Sequence, residues 1–291
     1  MRDFVRGAMA AIVMGAAAVS AQAADLPSYK APPPPPVEPF HPFQVRLKFG
    51  AVIPTEGTAS IFDRGTGSYL GGQTVLQATG YSFGPGSRFL GASTSISNSY
   101  QPLIDFSWFL SKNWAIEAIC CVSNHHVTGV GPIQGASVIK SWVFPPSLLL
   151  QYHFTNFGAF QPYLGVGVNF TAFWGTRPGN QSFPMPLPAL PGVNAIVTAT
   201  AASITPSWGV VGQAGADYMF NDRWGVNVDV KYIMMEPNAH VWATAVVPAA
   251  PGLGVLSVPL DLAVKINPIV VSAGLTYRFG ADWGVPKILP F

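Results

Sequence analysis

The last regular segment of the chain alternates apolar residues with small or polar residues. One face carries Ile269, Val271, Ala273, Leu275, Tyr277 and Phe279, and the other carries Val270, Ser272, Gly274, Thr276 and Arg278. Successive side chains of a β-strand point to opposite faces, so the segment predicts a strand between two different environments. An apolar row that ends in Tyr-x-Phe beside an inward Arg is typical of a strand between lipid and a polar lumen.

The composition also favours a membrane protein built from strands. The mean hydropathy is +0.33 and only 10% of residues are charged, whereas soluble domains carry about a quarter. Beyond the N-terminus, no uncharged apolar run reaches the roughly 18 to 20 residues of a spanning helix. Strands that span lipid must close into a barrel, because an open edge would leave backbone groups unpaired. The net charge of +2 is too small to indicate a nucleic-acid partner.

The N-terminus has the features of an export signal. A basic region with Arg2 and Arg6 precedes a short apolar stretch and a small-residue cleavage site. We therefore predict a signal peptide over residues 1–23, with a retained signal anchor as the alternative. Residues 24–42 are rich in proline and predict a stiff polyproline spacer in the periplasm. A recognition role for the proline run is the alternative.

Seven further segments alternate in the same way. They begin near Phe43, Ile104, Trp114, Leu148, Leu164, Val210 and Trp224. Short turns join three pairs of these segments, whereas four connections are long, at about residues 54–101, 123–144, 175–205 and 234–262. The pattern predicts an all-β fold, an eight-stranded antiparallel transmembrane β-barrel over residues 43–279, with short periplasmic turns and long extracellular loops. A soluble lipocalin-type barrel is the alternative, but aromatic residues near the short turns favour a membrane girdle.

Several motifs on the predicted strands carry a family resemblance. They read PPSLLLQYHF at 145–154, PYLGVGVNFT at 162–171, SWG at 207–209 and QAGADY at 213–218, and PTEG follows the first strand at 54–57. These segments resemble the OmpW family of outer-membrane proteins. The resemblance implies an eight-stranded outer-membrane barrel with a narrow, largely hydrophobic channel for the uptake of small apolar molecules, including alkanes in a few relatives.

The sequence departs from the family's pattern in three places. Pro206 replaces the usual Asp before the SWG motif, the first loop is long, and a tail at 280–291 follows the last strand. During insertion, we expect the barrel-assembly machinery to recognise the end of the last strand at Phe279 internally. Recognition of the terminal Phe291 is the alternative, although two nearby prolines make that segment a poor strand.

Eight charged residues are predicted to face the lumen. Four are basic and four are acidic: Arg46, Lys48, Lys231 and Arg278, with Asp105, Glu117, Asp217 and Asp229. Unpaired charges inside a narrow barrel are costly, so we expect a salt-bridge network that closes the periplasmic half. An ion-selective pore would carry an excess of one sign. The network can act as a gate or only stabilise the barrel, and the sequence leaves both open.

The outer part of the barrel is predicted to be apolar. No charged residue occurs in residues 178–216 or 237–260, although both ranges include extracellular loops. The loops carry Phe183, Met185, Leu187, Leu190, Val193, Ile196, Val246, Val247, Leu253 and Val255, which predicts an apolar surface that collects solutes. Candidate channel-lining or solute-binding residues are Leu149, Phe173, Trp208 and Val211; Trp208 requires a bulge beside Pro206 to face inward. In the alternative, the loops only extend the barrel or contact lipopolysaccharide.

Catalytic and metal-binding patterns are weak. His153 shares the lumen with Ser147 and Glu117, but no motif joins them, so we expect no enzyme activity. The pair His125 and His126 has no third ligand nearby, and the adjacent Cys120 and Cys121 point to opposite faces. We therefore predict no metal and no cofactor.

The favoured function is passive uptake of small hydrophobic molecules, with lateral release into the membrane because charges close the periplasmic half. The expected partners are outer-membrane lipid, lipopolysaccharide, the hydrophobic solutes and, during insertion, the barrel-assembly machinery. The alternative is a structural or adhesin-like surface barrel without transport. The Ala24-Asp25-Leu26-Pro27 start and the proline spacer, which resemble those of abundant surface barrels, keep this alternative open.

Overall fold

A computed structural model describes residues 40–179 and 181–280. The predicted signal peptide, nearly all of the proline spacer and the tail from residue 281 lie outside the described residues. Among the residues that are described, no helix is long and apolar enough to cross a membrane.

The described residues form eighteen strands and little helix. Helix α1 spans Val75–Ala78, and short 3-10 turns occur at Gly131–Ile133, Thr155–Phe157 and Pro251–Leu253. The strands are β1 Phe43–Pro54, β2 Thr58–Asp63, β3 Tyr69–Leu70, β4 Gln73–Thr74, β5 Ser93–Ile96, β6 Ser99–Phe109, β7 Trp114–Cys120, β8 Ser123–Val130, β9 Ser137–Phe144, β10 Ser147–His153, β11 Phe160–Pro178, β12 Phe183–Pro186, β13 Asn194–Ile204, β14 Ser207–Met219, β15 Trp224–Ile233, β16 Asn238–Val246, β17 Val255–Lys265 and β18 Pro268–Phe279.

Eight of these strands close into an antiparallel barrel. Their order around the wall is β1, β6, β7, β10, β11, β14, β15 and β18, and β18 pairs with β1 from Phe279 at Phe43 to Pro268 at Pro54. Leu47 and Phe49 are exposed on the outside, whereas Arg46 and Lys48, which alternate with them, are buried inside. The predicted fold class and alternation are confirmed, because the strands have an apolar outer face and, in the periplasmic half, a polar inner face.

The long connections are not irregular loops, which corrects the sequence-based expectation. Strands β5, β8 and β9 form one sheet with the outer part of β11, and β12, β13, β16, β17 and β2 form a second sheet. These strands continue the barrel wall outward from the eight paired strands. Along β13, Ala195, Val197 and Ala199 are buried. This alternation was not evident from the sequence, because small or apolar residues occupy both faces of the strand.

The wall between the two outer sheets is not fully hydrogen-bonded. Followed outward, the pairing of β11 with β14 ends at Thr171 and Ser207, one residue short of Pro206. Beyond that point β11 pairs with β9, and β13 pairs with β16. Within the described residues, no backbone hydrogen bond joins the outer part of β11 to β13. We call this gap between residues 172–178 and β13 the seam.

Candidate functional site

Arg46 is at the centre of the periplasmic half of the lumen, and its side chain is 0% exposed. Its guanidinium donates to Asp217 at 3.1 and 2.7 Å and to Ser107 Oγ at 3.1 Å, and it also contacts Glu117. The same group lies 4.7 Å from the ring centroid of Tyr163. A buried guanidinium that contacts two carboxylates and an aromatic face is fully compensated.

A second group of charges lies one inward-facing residue further from the periplasmic mouth. The ammonium of Lys48 contacts Asp105 and lies 3.0 Å from Asp229. The ammonium of Lys231 contacts Asp229 and lies 3.2 Å from Asp105. The carboxylate oxygens of Asp105, Glu117 and Asp229 lie within 4.8 Å of one another, as around a cation. The two ammonium groups already supply positive charge there, so the arrangement is an internal ion-pair network.

Polar side chains connect the two groups and extend them to the periplasmic mouth. Gln213, which the sequence analysis left out of the network, donates to Glu117 at 2.9 Å and to Asp229 at 2.8 Å. Its inward position on the same face as Asp217 was the available signal. Arg278 donates to Gln44 at 2.6 Å and to Gln161 at 2.7 Å and lies 4.0 Å from Asp217.

We call the eight charged residues together the charge cluster. It comprises Arg46, Lys48, Asp105, Glu117, Asp217, Asp229, Lys231 and Arg278, and these residues all lie inside the barrel. Its four positive and four negative groups cancel. The charge cluster fills the periplasmic half of the lumen with mutually paired side chains, as expected for a barrel of this size.

An apolar layer covers the charge cluster on its outer side. It contains Leu149 and Val211, which are 1% and 0% exposed, together with Val52, Leu103, Ile119, Cys121, Ile233, Met235 and Val270. Phe173 packs against this layer. Three of the four candidate lining residues therefore lie in one group within the lumen.

Trp208, the fourth candidate, does not face the lumen. Its side chain is 74% exposed on the outside of the barrel and lies 4.7 Å from Phe170, measured between ring centroids. No bulge interrupts the pairing of β14 with β11 at this position. The prediction that Trp208 lines the channel is wrong, because regular alternation starts at Ser207, the first residue of β14, and turns the indole outward.

A lower cavity of about 60 Å³ lies above the apolar layer. Val52, Phe173, Ile233 and Met235 contribute to its wall, with Ser123, His125 and Ser141 on the β8 and β9 side. The polar groups have partners in the wall. His125 bonds Ser97 O at 2.8 Å and Ser123 Oγ at 3.1 Å, and Ser141 bonds Thr176 at 2.9 Å. The lower cavity therefore presents a mostly apolar surface.

An upper cavity of about 140 Å³ lies between the two outer sheets and α1. Along β16, Ala239 lines the lower cavity and Val241 lines the upper one. On β17, Leu262 and Leu260 are divided in the same way. The two cavities are therefore neighbours along the barrel axis, one inward-facing residue apart on each strand.

Several residues expected on a water-facing loop surface instead line the upper cavity, which corrects that prediction. Phe183, Met185, Leu187, Leu190, Val247 and Leu253 contribute to its wall. Met185 and Leu187 are buried, whereas Leu190 and Leu253 are more than a third exposed. The sequence analysis recognised that these residues are apolar but placed them on a water-facing surface. In the structure the connections form strands, and these strands enclose the apolar residues. The exposed members bring the cavity wall to the outer surface. Val246 and Val255, at 38% and 69% exposure, are exposed as the sequence predicted.

His153 is enclosed by other lumen side chains. Its ring lies 4.8 Å from both Phe109 and Tyr163, and Nε2 is 3.1 Å from Gln151. Ser147 instead interacts with Asn169, at 2.9 Å. The sequence-based grouping of His153 with Ser147 and Glu117 therefore has no counterpart in these contacts.

Known proteins are similar to this chain in sequence and in fold. Residues 85–279 match the OmpW family. The chain is 38% identical to the uncharacterized outer-membrane protein y4mB of Sinorhizobium fredii over 189 residues, which are 65% of this chain and 70% of that protein. It is 26% identical to the dibenzothiophene metabolism operon protein PahQ of Pseudomonas aeruginosa over 156 residues, 53% of this chain and 65% of that protein.

The crystal structure of the outer membrane protein OprG from Pseudomonas aeruginosa has a similar fold. The TM-score is 0.56 and the identity 25%, over 84% of this chain and 98% of that chain. The sequence match, the fold and the alternation of side chains therefore agree on the cellular location and on the protein family. The chain is an outer-membrane protein and belongs to the OmpW family.

Proposed function

We propose that this barrel takes up small apolar molecules passively from outside the cell and releases them sideways into the outer membrane. The observation that carries the proposal is the pair of apolar cavities stacked inside the outer half of the wall. An apolar cavity of about 150 Å³ accommodates a molecule of the size of benzene. The upper cavity, at about 140 Å³, matches one small aromatic or aliphatic solute.

The route begins at the exposed rim of the upper cavity. Leu190 and Leu253 reach the outer surface there, and the cavity wall behind them is almost wholly apolar. A solute that leaves water for this wall gains about 25 cal/mol for each Å² of apolar surface buried. Movement into the lower cavity exchanges one apolar wall for another, but that cavity, at about 60 Å³, has to widen to take the same solute.

The charge cluster favours a sideways exit over passage along the axis. An apolar solute that continued toward the periplasm would have to separate Arg46 from its buried carboxylates, at a cost of several kcal/mol. The seam provides the sideways exit through the wall. Phe173 on β11 and Ile204 on β13 flank the seam, and both line the lower cavity. No backbone hydrogen bond of the described residues has to break there.

The relatives support the same class of solute. PahQ is named for an operon of dibenzothiophene metabolism, and dibenzothiophene is a small apolar aromatic compound. A relative from such an operon supports the delivery of apolar compounds to the cell as the function of this barrel.

Uptake of radiolabelled toluene, an apolar tracer of about the size that the upper cavity takes, tests the proposal in cells that carry the protein in their outer membrane. Ala243→Phe places an aromatic ring in the upper cavity, and Ala239→Phe does so in the lower one. Both variants should slow uptake to the rate of cells without the protein. Ala118→Phe is the matched control, because Ala118 faces lipid on β7, and it should retain the wild-type rate.

The direction of release is tested separately. Ile204→Trp narrows the seam and should lower the rate of uptake, whereas Val210→Trp adds the same ring on the lipid-facing side of β14 and should not. Equal uptake with and without wild-type protein would refute transport and leave the structural or surface-interaction function. Wild-type uptake by Ile204→Trp would refute lateral release alone.

A further inference from the structure

Three basic side chains lie side by side on the outward face of the first outer sheet. His126 in β8 is the cross-strand neighbour of Lys140 in β9, and Lys140 is the neighbour of Arg177 in β11. All three are exposed. Neighbouring strands lie about 4.8 Å apart, so the ends of these side chains can reach a single anionic group. We call these three residues the basic row.

The basic row has no acidic counterpart. No Asp or Glu occurs in residues 64–104 or 118–216, which include β5, β8, β9 and all of β11. The ion pairs and side-chain hydrogen bonds of the described residues do not involve the Lys140 ammonium or the Arg177 guanidinium. Like charges directly opposite each other on neighbouring strands are destabilising. Their placement therefore favours an anion supplied from outside the chain.

The second outer sheet differs in this respect. Arg64 lies 2.5 Å and His240 lies 2.7 Å from Asp261, and Lys265 lies 3.9 Å from Glu236. Each basic side chain of that sheet has an internal acidic partner. Among the strands of the two outer sheets in the described part of the chain, the unpaired basic side chains therefore lie in the first sheet.

The height of the basic row corresponds to the lipid headgroups. Trp142 precedes Tyr152 by ten residues, just as Trp208 precedes Tyr218 by ten. Ten residues of a strand tilted by about 40° rise about 25 Å, the height of the apolar band of such barrels. Trp142 and its cross-strand neighbour Trp174 therefore mark the outer interface. Lys140 lies two residues beyond Trp142, about 5 Å further out.

From this placement we infer that the basic row binds the phosphate groups of lipid A in the outer leaflet. Arg177 offers a planar set of donors that fits phosphate oxygens in a bidentate manner, and Lys140 adds a point charge beside it. The indole rings of Trp142 and Trp174 lie below, where they contact the upper acyl chains. His126 completes the row as a hydrogen-bond donor. The inference is independent of transport.

Binding to the purified full-length protein in detergent micelles tests the inference. Diphosphoryl lipid A, dephosphorylated lipid A and inorganic phosphate are the three probes, and affinity is measured by titration of intrinsic tryptophan fluorescence. The variant is Lys140→Gln with Arg177→Gln. The control is Arg88→Gln with Lys265→Gln, which removes the same charge from exposed extracellular positions outside the row. Heat-modifiable migration on gels verifies that each variant is folded.

The wild type and the control should bind diphosphoryl lipid A at least tenfold more tightly than the dephosphorylated lipid, because each charged hydrogen bond to phosphate contributes substantially. The Lys140→Gln and Arg177→Gln variant should lose this preference. Equal loss in the control, or an unchanged preference in the variant, would overturn the inference. Binding of inorganic phosphate as tight as that of lipid A would overturn the assignment to lipid, and equal binding of both lipids by the wild type would overturn the phosphate site.

Discussion

Removal of Arg46 provides the most direct test of the charge cluster. The Arg46→Met variant keeps a side chain of similar length but deletes the positive charge that faces Glu117 and Asp217. The charge cluster then changes from neutral to a net charge of −1. Because all three side chains are fully buried, neither water nor salt can replace the lost guanidinium.

The magnitude follows from the number of partners. Breaking a buried ion pair by removing one partner costs about 3–5 kcal/mol, because the other charge remains buried. Here two carboxylates lose a partner, and Tyr163 also loses the guanidinium 4.7 Å from its ring. We therefore expect the free energy of unfolding of Arg46→Met to fall by about 4 kcal/mol, within the range for a broken buried pair.

Urea-induced unfolding of the barrel in lipid vesicles, followed by tryptophan fluorescence, measures this loss. A compensated variant that combines Arg46→Met with Glu117→Gln removes one charge of each sign and returns the charge cluster to neutrality, while Asp217 keeps Arg278 at 4.0 Å. It should recover most of the lost stability, because replacing a buried ion pair by neutral groups is often nearly neutral. A loss below about 1 kcal/mol for Arg46→Met alone, the size of an exposed pair, would refute the view that the charge cluster is a dry, closed structure.

Two further predictions concern the wall of the barrel. Gly274→Ala would place a Cβ 2.0 Å from a carbonyl oxygen of β1 and should cost about 1–3 kcal/mol in the same unfolding assay; Gly212→Ala, which meets nothing within 4 Å, is the matched control and should be neutral. Partial burial acts to raise the pKa of Asp261, but hydrogen bonds from Arg64 and His240 outweigh it and lower the pKa. The stability gained from this ionised group is present above its ordinary value of 3.8 and is lost as the pH falls through the lowered value. Limited pepsin digestion should therefore cut the outer sheets of the wild type increasingly as the pH falls through the lowered pKa of Asp261. The outer sheets of Asp261→Asn should lack this acid dependence. Equal acid dependence in both proteins would contradict the assignment.

The sequence predicted the membrane-spanning strands and the charge cluster for one physical reason. A strand between lipid and a polar lumen must alternate, so Leu47 and Phe49 identify the outer face, and Arg46 and Lys48 the inner face, without any tertiary information. Pairing between Arg46 and Asp217 was not specified by the sequence, but charge balance in a narrow lumen made some such network necessary.

The outer half was harder to predict because its two environments are less different. In β13, Ala and Val alternate with Thr and Ile, so the hydrophobic contrast between the faces is small. Trp208 was misplaced because proximity to Pro206 was given more weight than simple alternation, which held. The two cavities depend on how separate connections pack together, and no local pattern encodes that.

The seam changes the energetics of opening the barrel wall. In a fully closed wall, widening a gap between strands means breaking several backbone hydrogen bonds at once, each difficult to replace near lipid. At the seam, among the described residues, only side-chain contacts join β11 to β13. The outer half therefore behaves as two sheets that can move apart, held on a rigid ring of eight paired strands. A wall of this kind can adjust its width to solutes of different size while the base of the barrel keeps its shape.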